Sequence, residues 1–193
     1  MDLLTMNQGS PYQEWTRLGY VFTARVVTAA VLLATATSGN APAIWNPASS
    51  GKLVIPLFLR ICKHTPGTAA SGGIVLGYKQ GCGDEIATGG AVVTWTNVAP
   101  TCNLIGSSKS CVTKFAPAVS TYTAAPALFM DTGFSYNMST AVANDAAVFL
   151  LDFKGSVMLQ PGALMSVHGM PVSVATYTTS IVFAEIPMPV GGV

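Results

Sequence analysis

Short apolar runs broken by turn-forming clusters constrain this chain to one broad class of fold. Ser38-Gly39-Asn40-Ala41-Pro42, Ser49-Ser50-Gly51-Lys52, Gly81-Cys82-Gly83 and Pro161-Gly162 supply the residues that tight turns need. Between such clusters lie runs rich in Val, Ile, Leu, Phe, Tyr and Thr: 20–25, 26–36, 53–63, 73–79, 91–98, 164–168, 172–177 and 180–186. Runs of this length read as strands. Long amphipathic helices do not alternate with them, so a parallel α/β sheet is disfavoured. The pattern predicts an all-β domain over residues 20–193, an antiparallel sandwich of jelly-roll-like type.

Details sharpen the expectation. Pro56 lies inside the run 53–63 and predicts a bulge or an edge position there, because proline cannot donate to a ladder. Residues 100–127 are weakly patterned and read as long loops or edge strands. Residues 147–159 read as two strands, or one bent at Gly155. The single helix candidate, 139–147, lacks an apolar stripe. A chain of 193 residues is long enough to bury a substantial core as one domain.

Charge is scarce. Only 9% of the residues are charged while 50% are hydrophobic, with a formal net charge of +1. Ordinary soluble domains carry about 25% charge. The nine basic residues are spread singly, without a phosphate-tracking stripe or a polybasic cluster, so neither nucleic acid nor membrane is an expected partner. The longest apolar stretch, 26–36, is interrupted by Thr28 and Thr35 and is far short of the about 20 residues of a spanning helix. It reads as a strand, not as the core of a leader peptide. A surface this poor in charge is expected to be covered by other protein, which predicts a homo-oligomer.

The residues do not assemble into a reaction centre. His64 sits in a Lys-His-Thr-Pro-Gly turn and His168 in Ser-Val-His-Gly at a strand end, each without a visible orienting partner. Asp84 and Glu85 are adjacent, so on a strand they would point to opposite faces, unlike a glycosidase pair. Asp131, Asp145 and Asp152 stand alone, and Glu185 interrupts an apolar run as an edge-protecting charge or an interface partner. No phosphate-binding or zinc motif is present, and neither His lies at metal-ligand spacing from a Cys. No catalysis, metal or cofactor is expected. Cys102 and Cys111 bracket a Ser- and Gly-rich loop. That spacing suits a disulfide in an oxidising compartment and free thiols in cytosol, and free thiols are the expectation.

Residues 1–19 differ in composition from the body. Polar, Gly and Pro residues surround two large aromatics, Tyr12 and Trp15. Such a terminus needs something to tie it down, either the chain's own sheet or a neighbour. The expectation is an N-terminal arm that binds a neighbouring subunit through Tyr12 and Trp15, with Trp45 as a further core or interface anchor.

Three stretches carry a resemblance. Ile44-Trp45-Asn46-Pro47-Ala48-Ser49-Ser50-Gly51-Lys52-Leu53-Val54-Ile55 joins an aromatic–Asn–Pro turn to an apolar strand. A Gly/Ala/Thr-rich loop follows Arg60, and Phe183-Ala184-Glu185-Ile186-Pro187 closes the last apolar run. Together, over less than half the chain, they resemble the small β structural proteins of tailed-bacteriophage virions. The resemblance implies a virion protein assembled in the host cytoplasm: a capsid decoration (cement) protein, head fibre or tail-associated protein. It further implies a trimer, with a major capsid protein or another virion protein as partner. The alternative is a carbohydrate-binding fibre or adhesin module, which predicts an exposed aromatic platform with polar groups beside it, or a bound calcium.

Overall fold

The computed structural model describes residues 11–26, 30–31, 38–64, 71–83, 92–95, 98–122, 124–137, 148–170 and 176–188. The helix candidate at 139–147, with Asp84, Glu85 and Asp145, lies outside the described residues. So does most of the run 26–36.

Among the described residues, one short helix, α1 (Pro11–Arg17), precedes twelve strands. They are β1 (Val21–Arg25), β2 (Ala30–Val31), β3 (Ser38–Trp45), β4 (Lys52–Lys63), β5 (Ser71–Lys79), β6 (Val92–Trp95), β7 (Thr101–Cys102), β8 (Lys114–Tyr122), β9 (Ala127–Asn137), β10 (Val148–Asp152), β11 (Leu164–Met170) and β12 (Thr176–Pro187). One sheet runs β10–β4–β12–β1–β7, with β2 pairing β12 beyond the end of β1. The other runs β6–β8–β3–β11–β5–β9. Every pairing is antiparallel.

The order of pairing defines the fold. β1 pairs with β12, β3 with β11, β4 with β10, and β5 with β9. The chain is thus one long hairpin, its first strand against its last, rolled so that β12 also meets β4 and β11 also meets β5. That is the jelly-roll arrangement of a β-sandwich. The connection from β5 to β9 carries three further strands. β7 widens the first sheet beside β1, and β8 and β6 widen the second beyond β3. The weakly patterned stretch 100–127 therefore contributes a full nine-residue strand, β8.

Alternation places the core. Phe22 and Ala24 of β1, Leu59 and Ile61 of β4, and Ile181 and Phe183 of β12 face Ile44, Ile74, Leu76, Phe115, Met165 and Val167 of the other sheet in one apolar cluster. Burying each such side chain stabilises by about 1.5–3 kcal/mol. Pro56 sits where the β4–β12 register shifts, between Val182↔Phe58 and Phe183↔Pro56. The bulge expected from the sequence lets a central strand accept a residue with no N–H.

A second, smaller cluster lies on the outer face of the first sheet. Val21, Ile55, Leu57 and Ala184 are buried there beneath Tyr12 and Trp15 of α1. Tyr12 meets Phe58 edge-on with ring centroids 5.7 Å apart, and Trp15 at 5.9 Å. Pro11 takes the first helical position, which suits its fixed φ and missing donor. Arg17 closes the last turn with a bidentate pair to Glu14.

Candidate functional site

Three polar arrangements inside the fold account for residues that stood out in the sequence. The first centres on Glu185. It lies on β12 between β4 and β1 and is 2% exposed, so it is neither an edge charge nor free for a partner. Its Oε2 accepts from the Val112 and Thr113 amides, both at 2.9 Å, and from Thr113 Oγ1 at 2.8 Å. Lys52 Nζ donates to Oε1 at 3.1 Å. The carboxylate therefore fastens the loop before β8 to the sheet. Further along that loop, Thr23 Oγ1 donates to Asn103 Oδ1 and Lys109 Nζ donates to Leu18 O, with Lys109 also over the Tyr20 ring.

The second is Asn46. It is completely buried, and its Nδ2 donates to Lys52 O at 2.8 Å and Leu159 O at 2.9 Å. Its backbone exchanges bonds with Ala163 O and Gly162 N. Gly162, at φ +79°, also accepts from the Cys82 amide. One asparagine thus ties the β3–β4 turn to the segment before β11.

The third is Ser166 with His168, whose Oγ and Nε2 are 2.7 Å apart. His168 lies within β11 and not at its end, because Gly169 and Met170 continue the strand. A hydroxyl touching an imidazole has the composition of a nucleophile and base. Both residues are buried, however, so no substrate reaches Oγ. The pair satisfies two buried polar groups on the second sheet. His64 is exposed just past β4 and holds Thr178 Oγ1 at 2.8 Å. Asp131 and Asp152 accept from amides two residues on, closing local turns.

The anchors expected from the sequence separate. Tyr12 and Trp15 are half-buried on the chain's own sheet, which corrects the arm over residues 11–19: a seven-residue helix docks internally because Phe58 and Ile186 offer it an apolar seat. Residues 1–10 lie outside the described residues. Trp45 takes the core one of its two expected roles, which corrects its reading as a partner anchor. It is 2% exposed at the end of β3 and is a core residue, not a surface anchor. The four cysteines are free. Burial pushes the Cys111 thiol up to about 12, with the Glu185 charge adding to it, and pushes Cys82 up to about 11.

The accessible features lie elsewhere. Val148 and Leu150, on the terminal strand β10, are 51% and 59% exposed, while Phe149 and Leu151 of the same strand turn inward. Leu128 and Phe129 are exposed on β9, the terminal strand of the second sheet. Phe129 meets Tyr78 edge-on at 5.7 Å. That aromatic pair, with Gln80, Met158 and Gln160, lines an open groove of about 720 Å³ floored by residues 161–165. Tyr78 lies in phase with the inward Ile74 and Leu76, and β5 keeps that phase unbroken against β11, so the sequence pattern carries no signal for its exposure.

Comparison of the chain with protein-family models, with curated proteins and with solved structures returned no match.

Proposed function

We propose that this chain is a structural virion protein of a tailed phage, a jelly-roll subunit that binds copies of itself and a capsid shell. The observation that carries the reading is the apolar edge of β10. An edge strand offers unpaired amides and carbonyls to any passing strand, and soluble proteins blunt such edges with charge, proline or cover. Here Val148 and Leu150 stand exposed beside that edge, which pairs with no further strand among the described residues. In a chain with 9% charge, burial against another subunit is the direct remedy. Jelly rolls also build lectins and cupins, so the fold supports the reading without deciding it.

Val148→Lys with Leu150→Lys is expected to convert an oligomer, a trimer first, into monomers that no longer bind phage heads lacking the protein. The melting temperature should fall by only a few degrees, because both side chains are already exposed and the main cost is the new charge at 150 facing Arg60 across one strand. Sedimentation of the unmodified chain as a monomer at micromolar concentration would sink the proposal.

The groove favours a second reading, a carbohydrate-binding fibre module. Tyr78 and Phe129 offer ring faces and edges to a sugar, and Gln80 and Gln160 stand beside them as hydrogen-bonding groups. On this reading Tyr78→Ala lowers affinity on a glycan array about tenfold or more while oligomerisation persists. An array with no hit for the unmodified chain would remove it.

A further inference from the structure

The outer face of the first sheet has two halves. α1 covers one, over Val21, Ile55, Leu57 and Ala184. The other is uncovered among the described residues and carries a row across three strands, Arg25↔Ser180↔Arg60. Alternation fixes the direction of these side chains. Ala24, Ile181, Leu59 and Ile61 point into the core, so Arg25, Ser180 and Arg60 point outward together. The two arginines stand two strand spacings apart, about 10 Å between Cα atoms, with a serine hydroxyl between them. The next row brings Thr178 beside Cys62, and His64 leans onto Thr178. Together these residues line a depression of about 420 Å³.

Among the described residues, no acidic side chain lines the depression. The ion pairs among the described residues are Arg17–Glu14 and Lys52–Glu185, so neither Arg25 nor Arg60 has a counter-charge there. Two guanidinium groups side by side repel one another. An anion between them reverses the sign of that interaction. A carboxylate has two oxygens, and one arginine fork satisfies both. Two forks with a hydroxyl beneath suit a group with more acceptors.

We propose that the Arg25–Ser180–Arg60 depression is a binding site for a tetrahedral oxyanion, a phosphate or sulfate group, free or as an ester on a small molecule such as a sugar. Arg25 and Arg60 hold separate oxygens from opposite sides, Ser180 Oγ donates from below, and the His64–Thr178 pair forms the wall. The site is separate from the aromatic groove but borders the exposed residues of β10, since Leu150 pairs with Arg60 and Val148 with Cys62.

Titration calorimetry in a phosphate-free buffer of low ionic strength tests this, with inorganic phosphate, sulfate, glucose 6-phosphate, glucose and acetate as probes. Phosphate, sulfate or the ester is expected to bind saturably, with glucose silent and acetate about tenfold weaker or worse. An ester tighter than the free ion marks an ester site, and the reverse order marks a free-anion site. Arg25→Gln and Arg60→Gln should each weaken binding about tenfold or more, with Arg60→Lys between Gln and the unmodified chain because it keeps charge but loses the fork. Unfolding midpoints without ligand should barely move, since both arginines are exposed. Absence of binding at about 10 mM, acetate equal to phosphate, or full affinity in the double Gln variant would overturn the assignment.

Discussion

Replacing Glu185 by alanine is expected to lower the unfolding free energy by about 3–5 kcal/mol, since buried donors left without an acceptor cost about 1–3 kcal/mol each. The reasons are local. Three donors lose their acceptor at once, namely the amides of Val112 and Thr113 and the Thr113 hydroxyl, and Thr113 is itself buried. Lys52 suffers less, because its side chain is 33% exposed and swings into water. Glu185→Gln separates charge from shape. Its amide oxygen still faces the three donors, but without charge assistance, so the expected loss is smaller, about 1–3 kcal/mol. Urea unfolding measures both. Protease cleavage within 103–111 should speed up in the alanine variant before global unfolding, because that loop loses its tether. Equal stability of the alanine variant and the unmodified chain would show that the cluster contributes nothing net.

The change Asn46→Asp is nearly isosteric, yet it is expected to cost about 3–5 kcal/mol, because it leaves a buried charge without a partner. The Asn46 amide donates to two carbonyl oxygens, Lys52 O and Leu159 O. A carboxylate there has no proton to give and faces both oxygens with like charge. Burial raises the carboxyl's folded pKa above its unfolded value of about 3.9. The penalty therefore grows as pH rises above about 4 and fades below it, where the acid is neutral in both states and donates once. Stability relative to the unmodified chain, measured by denaturant titration at pH 3.5 and pH 7, should show the deficit shrinking in acid. A deficit independent of pH would mean that Asn46 acts through shape alone.

The sandwich was legible because turn chemistry is local. Ser49–Lys52 and Pro161-Gly162 announced their turns, and Pro56 announced its bulge, from residues within two or three positions. The jelly-roll order was readable only as a class, because pairing β1 with β12 is decided by contacts far apart in sequence. Residue roles failed for the same reason. Glu185 reads as an edge charge until the loop at 112–113 is folded over it. Trp45 reads as an anchor until a second layer buries it. His168 reads as a strand end because Gly169 looks like a stop. Tyr12 and Trp15 were seen as aromatics in search of a seat, but the seat is made by Ile55, Leu57 and Ala184, from the middle and the end of the chain.

The rolled hairpin also sets an order of events during synthesis. β12 lies between β1 and β4, so the first sheet has no continuous path across it until residues 176–187 have been made. A nascent chain ending before them holds β1 with β7 on one side and β4 with β10 on the other, with nothing joining the two. Both inner margins then present open ladder edges, and apolar residues such as Phe22 and Leu59 lack the strand that joins their halves of the core. Closure between strands so distant in sequence meets its entropic cost before any contact repays it. The twelve residues of β12 thus act as the zip that closes the first sheet.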